Sequence, residues 1–120
     1  MNVLIVENRL ELRQLWCNHL VRKGAAVRLV SIQNEAIDAI LDKLPDIIVL
    51  NLVLKEGGAL AISDFASYRA PQARVIFVTD TSFFSDGSIF NLSPNARAFV
   101  QADTPPEDLA AIVEHYAAED

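Results

Sequence analysis

Four apolar runs of this chain give way to residues that could do chemistry. "NVLIV" (2–6) is followed by Glu7 and Asn8, and "DIIVLNLVL" (46–54) carries Asn51 near its carboxyl end. "ARVIFVT" (73–79) ends on Thr79 and is followed by Asp80, and "ARAFVQ" (96–101) is followed by Ala102 and Asp103. Carboxylates gathered at such ends would suit a hard cation, and one of them could accept a phosphoryl group as an acyl phosphate. The residues present supply little of this. The amide of Asn51 is a poor nucleophile, because its nitrogen lone pair is delocalised into the carbonyl. Magnesium requires a strict octahedron of oxygens, usually one or two carboxylates plus phosphate. Glu7 with two neighbouring amides would hold it weakly. Phosphoryl transfer also relies on cationic groups to neutralise developing charge, and Ala102 brings none. No cofactor is therefore expected, and magnesium binding is expected to be weak or absent.

Other reactive side chains read as structural. Glu7 is expected to be a solvated carboxylate at a strand end, with a remnant metal ligand as the sharper alternative. Asp80 and Asp103 read as loop and turn residues. His19 lies on the apolar face of a helix and reads as a packed histidine. Cys17 has no basic or helix-start setting that would lower its pKa, so it reads as inert. No Cys and His positions have metal-ligand spacing. Asn51 has two readings: an amide that fixes a conformation by bonding Thr79, Asn8 or backbone, or a residue filling a disused site.

These residues must be positioned by regular elements. The runs 2–6, "AVRLV" (26–30), "DIIVLNL" (46–52), 73–79 and 96–101 have strand length. Between the first two, Leu12, Leu15, Trp16, His19 and Leu20 recur at helical spacing, with Gly24 closing the helix. "NEAIDAILDKL" (34–44) reads as a helix capped by Asn34 and stopped by Pro45, and "ALAISDFASYRA" (59–70) as a third helix stopped by Pro71. The stretch 80–95 contains Gly87, Pro94 and four serines, so a helix there would be short or irregular. "TPPEDLAAIVEHYAAE" (104–119) is a fifth helix, with Thr104 as cap, Pro105 first in the helix and Glu107 completing a capping box. Alternating strands and helices with near-continuous apolar strands imply an α/β fold, a doubly wound five-stranded parallel sheet with helices on both faces. Such sheets bind ligands beyond the carboxyl ends of their strands, where strand order reverses. All of the residues named first fall there.

The 120 residues fit one domain, 1–120. Hydrophobic residues make up 52% and charged ones 22%, which describes an ordered globular chain. Net charge is −6 and the ten Lys and Arg are scattered, so nucleic-acid binding by this domain is not expected. No apolar run is long enough to span a membrane, and the amino terminus lacks the pattern of a signal peptide. A single cysteine cannot form an internal disulfide, which fits a cytoplasmic location.

The chain resembles the receiver domain of bacterial two-component response regulators over essentially its whole length. "VLIVEN", "KLPDIIVLNLVL", "VIFVTD" and "ARAFVQADTPPEDL" carry the resemblance. It implies a flavodoxin-like (βα)5 fold. It also implies two acids and a phosphoacceptor aspartate holding magnesium, with a lysine pairing the phosphoryl group. The matching positions here carry Glu7, Asn8, Asn51 and Ala102. Thr79 matches the family's hydroxyl switch residue and Phe99 its aromatic one. Asp103 replaces a proline. The cis peptide that the family commonly has before it would cost roughly 3 kcal/mol without proline.

The expectation is an atypical receiver, a pseudo-receiver in phosphorelay signalling that is not an enzyme and acts by protein–protein interaction. The partner would be a kinase, an output domain or a second copy. The family's fourth helix, fifth strand and last helix form its contact face, which here would include Phe83, Phe84, Ile89, Phe90 and Phe99. One alternative is a phosphorelay receiver modified at an unusual residue such as Asp80 or Asp103. Another is a receiver belonging to a larger regulator, such as a transcription factor or an output enzyme. A nucleotide-binding enzyme on the same sheet would need a phosphate-cradling loop after the first strand. "ENRLEL" is bulky and acidic instead.

Overall fold

A computed structural model describes residues 1–54, 56–80 and 94–119. The elements are β1 (Asn2–Val6), α1 (Leu10–Arg22), β2 (Ala26–Val30), α2 (Gln33–Asp42), β3 (Ile47–Asn51), α3 (Ala59–Arg69), β4 (Arg74–Thr79), β5 (Ala96–Gln101) and α4 (Pro106–Ala117). All strand pairings are parallel, in the order β2-β1-β3-β4-β5. The chain leaves β1 toward one edge and returns to its other side with β3. The order therefore reverses between β1 and β3, and their carboxyl ends frame the crevice of a doubly wound sheet.

Two cores explain the apolar strands. Side chains alternate across a strand, so each central strand feeds both faces. On one face Leu4, Val6, Ile48, Leu50, Val75 and Phe77 pack against α2 and α3. On the other Val3, Ile5, Val49, Ile76 and Val78 meet Trp16 and Leu20 of α1 and Leu109, Ala110 and Val113 of α4. β2 is an edge strand, and exposed and half-buried positions alternate along most of it. Its central Arg28 pairs with Asp42 at 2.8 Å.

Several boundaries differ from the expectation. β3 stops at Asn51 rather than running on through Leu52. The Asn51 Oδ1 accepts the Val53 N–H at 2.8 Å, and this side-chain turn ends the strand. α2 begins at Gln33, and Asn34 is not its cap. The Gln33 N–H instead finds the Glu56 carbonyl at 3.3 Å, and the Glu35 carboxylate reaches back to the Ser31 N–H at 2.9 Å. Likewise α4 begins at Pro106 with Pro105 as the flanking residue, one position later than a Thr104 cap requires. On α1, Trp16 and Leu20 are buried whereas Leu15 is exposed. Gly24 adopts φ +89° just past the end of α1, the left-handed conformation that its lack of Cβ permits.

Candidate functional site

Glu7, the first residue after β1, is completely buried. It is not the solvated carboxylate expected from the sequence. A buried carboxylate requires partners, and both of its oxygens have them. The Asn51 Nδ2 donates to Oε1 at 2.6 Å. Arg9 turns back over the strand end, and its Nη2 donates to Oε1 at 3.1 Å and its Nε to Oε2 at 3.1 Å. The backbone N–H of Arg9 adds a fourth bond, to Oε2 at 2.9 Å. This is a bidentate guanidinium–carboxylate fork, among the strongest ion-pair geometries available to side chains. The remaining edge of the guanidinium meets the next carboxylate, with Arg9 Nη1 2.8 Å from Asp80 Oδ1. The hydrogen bond to Glu7 raises the Arg9 pKa above its ordinary value; burial opposes this, and Asp80 adds to it.

The fold makes this arrangement possible. Glu7 and Asn51 lie at the ends of adjacent strands paired in register, Val6 opposite Leu50. Asp80 follows β4, whose Val78 is opposite Asn51. Three neighbouring strands thus deliver Glu7, Asn51 and Asp80 to one rim, and Arg9 spans them from the start of α1.

The other expected positions have separate surroundings. The Asn8 Nδ2 donates to the Ser31 carbonyl at 2.9 Å, toward the end of β2. Thr79 is buried at the end of β4, and its carbonyl accepts the Ala102 N–H at 2.8 Å. Ala102 is half-buried and packs with the α1/α4 core. Phe99 stacks on Phe77, with ring centroids 5.3 Å apart and planes at 19°. Phe83, Phe84, Ile89 and Phe90 lie outside the described residues. His19 is half-buried, with Nδ1 3.0 Å from the Leu15 carbonyl oxygen. Asp103 is exposed at the edge of an open groove that Arg9, Leu12, Leu15, Asp80 and Ala102 also line.

Arg9 and Arg13 are the site residues that sequence reasoning passed over. Arg13 Nη1 donates to the Glu7 carbonyl at 3.3 Å and to the Ser31 hydroxyl. A signal for Arg9 is present: an acid-x-Arg step directly after a buried strand, in a pocket whose other polar groups are mostly neutral. The Glu7 oxygens are committed to a guanidinium and an amide, Asn8 bonds toward β2, and no group of three or more His, Cys, Asp and Glu suited to a metal occurs among the described residues.

No protein-family model matches the chain, and no curated protein matches it in sequence. Solved structures match its shape closely. The receiver domain of NtrX from Brucella abortus superposes with a TM-score of 0.86 over 98% of this chain and 99% of that one, at 19% identity. The fold is that of a response-regulator receiver domain. A CheY-like receiver domain protein from Methanospirillum hungatei JF-1 gives a TM-score of 0.88 at 19% identity, covering 98% of this chain and 94% of that one. The BeF3-activated N-terminal receiver domain of RstA from Klebsiella pneumoniae gives 0.82 at 19% identity, covering 99% of this chain and 100% of that one. On this receiver fold the rim that collects Glu7, Asn51 and Asp80 is closed over by Arg9. No described helix is long and apolar enough to cross a membrane.

Proposed function

We propose that this chain is a receiver-type signalling module that works without aspartyl phosphorylation and acts by binding another protein. The observation that supports this reading is the Arg9 fork on Glu7. A guanidinium supplies, from within the chain, the positive charge that a bound cation would bring to a carboxylate. Asn51 completes the pocket with a donor, where phosphoryl transfer would need a nucleophile. The charge is already balanced, and no ligand is needed to hold the strand ends together. Asp80, the residue of the unusual-acceptor alternative, is held by the same guanidinium through its Oδ1.

The neighbour from Klebsiella pneumoniae is described as BeF3-activated, so the matching test is direct. The chain would be incubated with acetyl phosphate and magnesium, or with beryllofluoride and magnesium. Intact mass and backbone amide spectra should both stay unchanged. A gain of one phosphoryl group, or a magnesium-dependent shift at Thr79, would overturn the reading. A bound mass that maps to Asp80 or Asp103 would favour the unusual-acceptor alternative.

A further inference from the structure

Glu7 offers its occupant a defined shape. An ionised carboxylate has about four acceptor positions, two on each oxygen. Two are taken without the Arg9 side chain: the Asn51 Nδ2 donates to Oε1 at 2.6 Å, and the Arg9 backbone N–H donates to Oε2 at 2.9 Å. One position on each oxygen remains, and these accept the Arg9 Nη2 and Nε, each at 3.1 Å. The Asp80 Oδ1 takes the Nη1 at 2.8 Å. Three oxygens from two strand ends therefore receive all three nitrogens of one planar cation.

That arrangement selects among cations. A guanidinium presents parallel N–H groups to both oxygens of a carboxylate and keeps an edge for a second acid, whereas an ammonium is a compact point charge. A divalent ion prefers oxygens on every side. Asn51 turns the other way: its Oδ1 accepts the Val53 N–H at 2.8 Å, so the amide presents hydrogen to Glu7.

The acceptors are also reachable and fixed. The Glu7 side chain is fully buried, but the Arg9 side chain over it is 44% exposed and Asp80 is 62% exposed. Arg9 and Asp80 both line an open groove. The Glu7 N–H bonds the Val30 carbonyl at 3.1 Å, and Asn51 belongs to β3, so neither position depends on Arg9. Arg13 is committed to the Glu7 carbonyl and the Ser31 hydroxyl, which leaves the carboxylate to Arg9.

We infer that the rim of Glu7, Asn51 and Asp80 is a binding site for an alkylguanidinium, the head group of an arginine side chain, and that Arg9 is its tethered occupant. This rests on the Arg9 fork that also supports the proposed function, but not on the absence of phosphorylation. Labelling of the intact chain by acetyl phosphate bears on that reading alone, and guanidinium titration of an Arg9 variant bears on this one.

Arg9→Ala would be titrated with methylguanidinium, and with methylammonium and magnesium at matched ionic strength. A Kd on the order of 10 mM should raise the folded-to-unfolded ratio about threefold at about 20 mM methylguanidinium, read by urea unfolding. The amide signals of Glu7, Asn51 and Val53 should move toward their wild-type positions. Methylammonium and magnesium should do neither. Methylguanidinium should not stabilise the wild-type chain, where Arg9 fills the site at high effective concentration. It should not stabilise the double variant Arg9→Ala, Glu7→Gln either, which lacks the carboxylate. If Arg9→Ala is partly unfolded in buffer, methylguanidinium should increase its folded fraction, followed by circular dichroism. No response of Arg9→Ala, equal effects of methylammonium or magnesium, or a response of the same size in the wild-type chain or the double variant would overturn the inference.

Discussion

The Asn51 carboxamide donates to the Glu7 carboxylate across 2.6 Å and accepts the Val53 N–H at 2.8 Å. One neutral side chain therefore ties the end of β1 to the end of β3 and starts the loop toward α3. An aspartate at this position would keep the acceptor and lose the donor. It would also set two carboxylates against each other inside a buried site. The amide is the residue type that satisfies both neighbours at once.

Removing Arg9 tests whether the fork stabilises the fold. Arg9→Ala strips Glu7 of its cation while leaving a carboxylate that is fully buried in the native chain. An unpaired buried charge is costly, and the loss expected is about 2–3 kcal/mol. Urea unfolding followed by the fluorescence of buried Trp16 would measure it. Arg9→Met combined with Glu7→Gln should recover most of the loss, because it removes both charges together. Equal instability of the double variant would show that Arg9 acts through packing of its aliphatic stem.

Restoring the acceptor alone should not restore phosphorylation. Asn51→Asp leaves Arg9 on Glu7, Asn8 facing β2 and Ala102 uncharged. The triple variant Asn8→Asp, Asn51→Asp, Ala102→Lys should still fail while Arg9 covers Glu7. Adding Arg9→Ala to that triple should allow a gain of one phosphoryl group from acetyl phosphate and magnesium, read by intact mass. Efficient phosphorylation of the Asn51→Asp single variant would show that the guanidinium yields readily to a cation.

The sequence made the positions of Glu7, Asn51, Thr79 and Ala102 legible, and it did so by topology. Apolar runs such as "NVLIV" and "ARVIFVT" suit central strands, and a doubly wound sheet sends their ends to one rim. It did not reveal what those residues touch. Arg9 carried no reading in the sequence, because which carboxylates its guanidinium meets, Glu7 two positions before it and Asp80 71 positions after it, is set by the fold. Glu7 looked solvated, because burial at a strand end depends on which side chain folds over it. The caps failed for a related reason. Asn34 and Thr104 have capping chemistry, but the N–H of Gln33 is satisfied by Glu56 from a distant loop, and α4 begins only at Pro106. Local propensity is a weak prior against such tertiary contacts.

The loop after β3 is fastened at Gly57, which supports a stability prediction. Gly57 has φ +87°, and a Cβ there would collide with the Cβ of Gln33. The Gln33 side chain is itself engaged, accepting the Gly58 N–H at 2.8 Å. Gly57→Ala combines a left-handed backbone cost of about 1–2 kcal/mol with this clash against the start of α2. In a Gln33→Gly background the new methyl would have no Cβ to meet, and only the backbone part should remain. Thermal unfolding of the four chains in a double-mutant cycle would separate the two parts. Strict additivity would show that the two residues do not meet.

Glu119 clasps the amino-terminal ends of β4 and β5. The Glu119 carboxylate accepts from Arg97 Nε at 3.0 Å and from Arg74 Nε at 3.4 Å, which ties the residues after α4 to β4 and β5. The hydrogen bond from Arg97 is the main cause that lowers the Glu119 pKa below its ordinary value of 4.5, with burial opposing and Arg74 assisting. A carboxyl group whose folded pKa is depressed stabilises the native state above its unfolded value, and that contribution is lost as pH falls through the folded value. The clasp should therefore be intact at neutral pH and should open only below the ordinary carboxyl range. Glu119 is exposed, so the effect belongs to the chain end and not to global stability. Arg97 Hε chemical shifts and amide exchange in the last turn of α4 should change together as acid is added, and Glu119→Gln should show the opened values already at neutral pH. An acid-induced change of the same size in Glu119→Gln would assign the titration to another group.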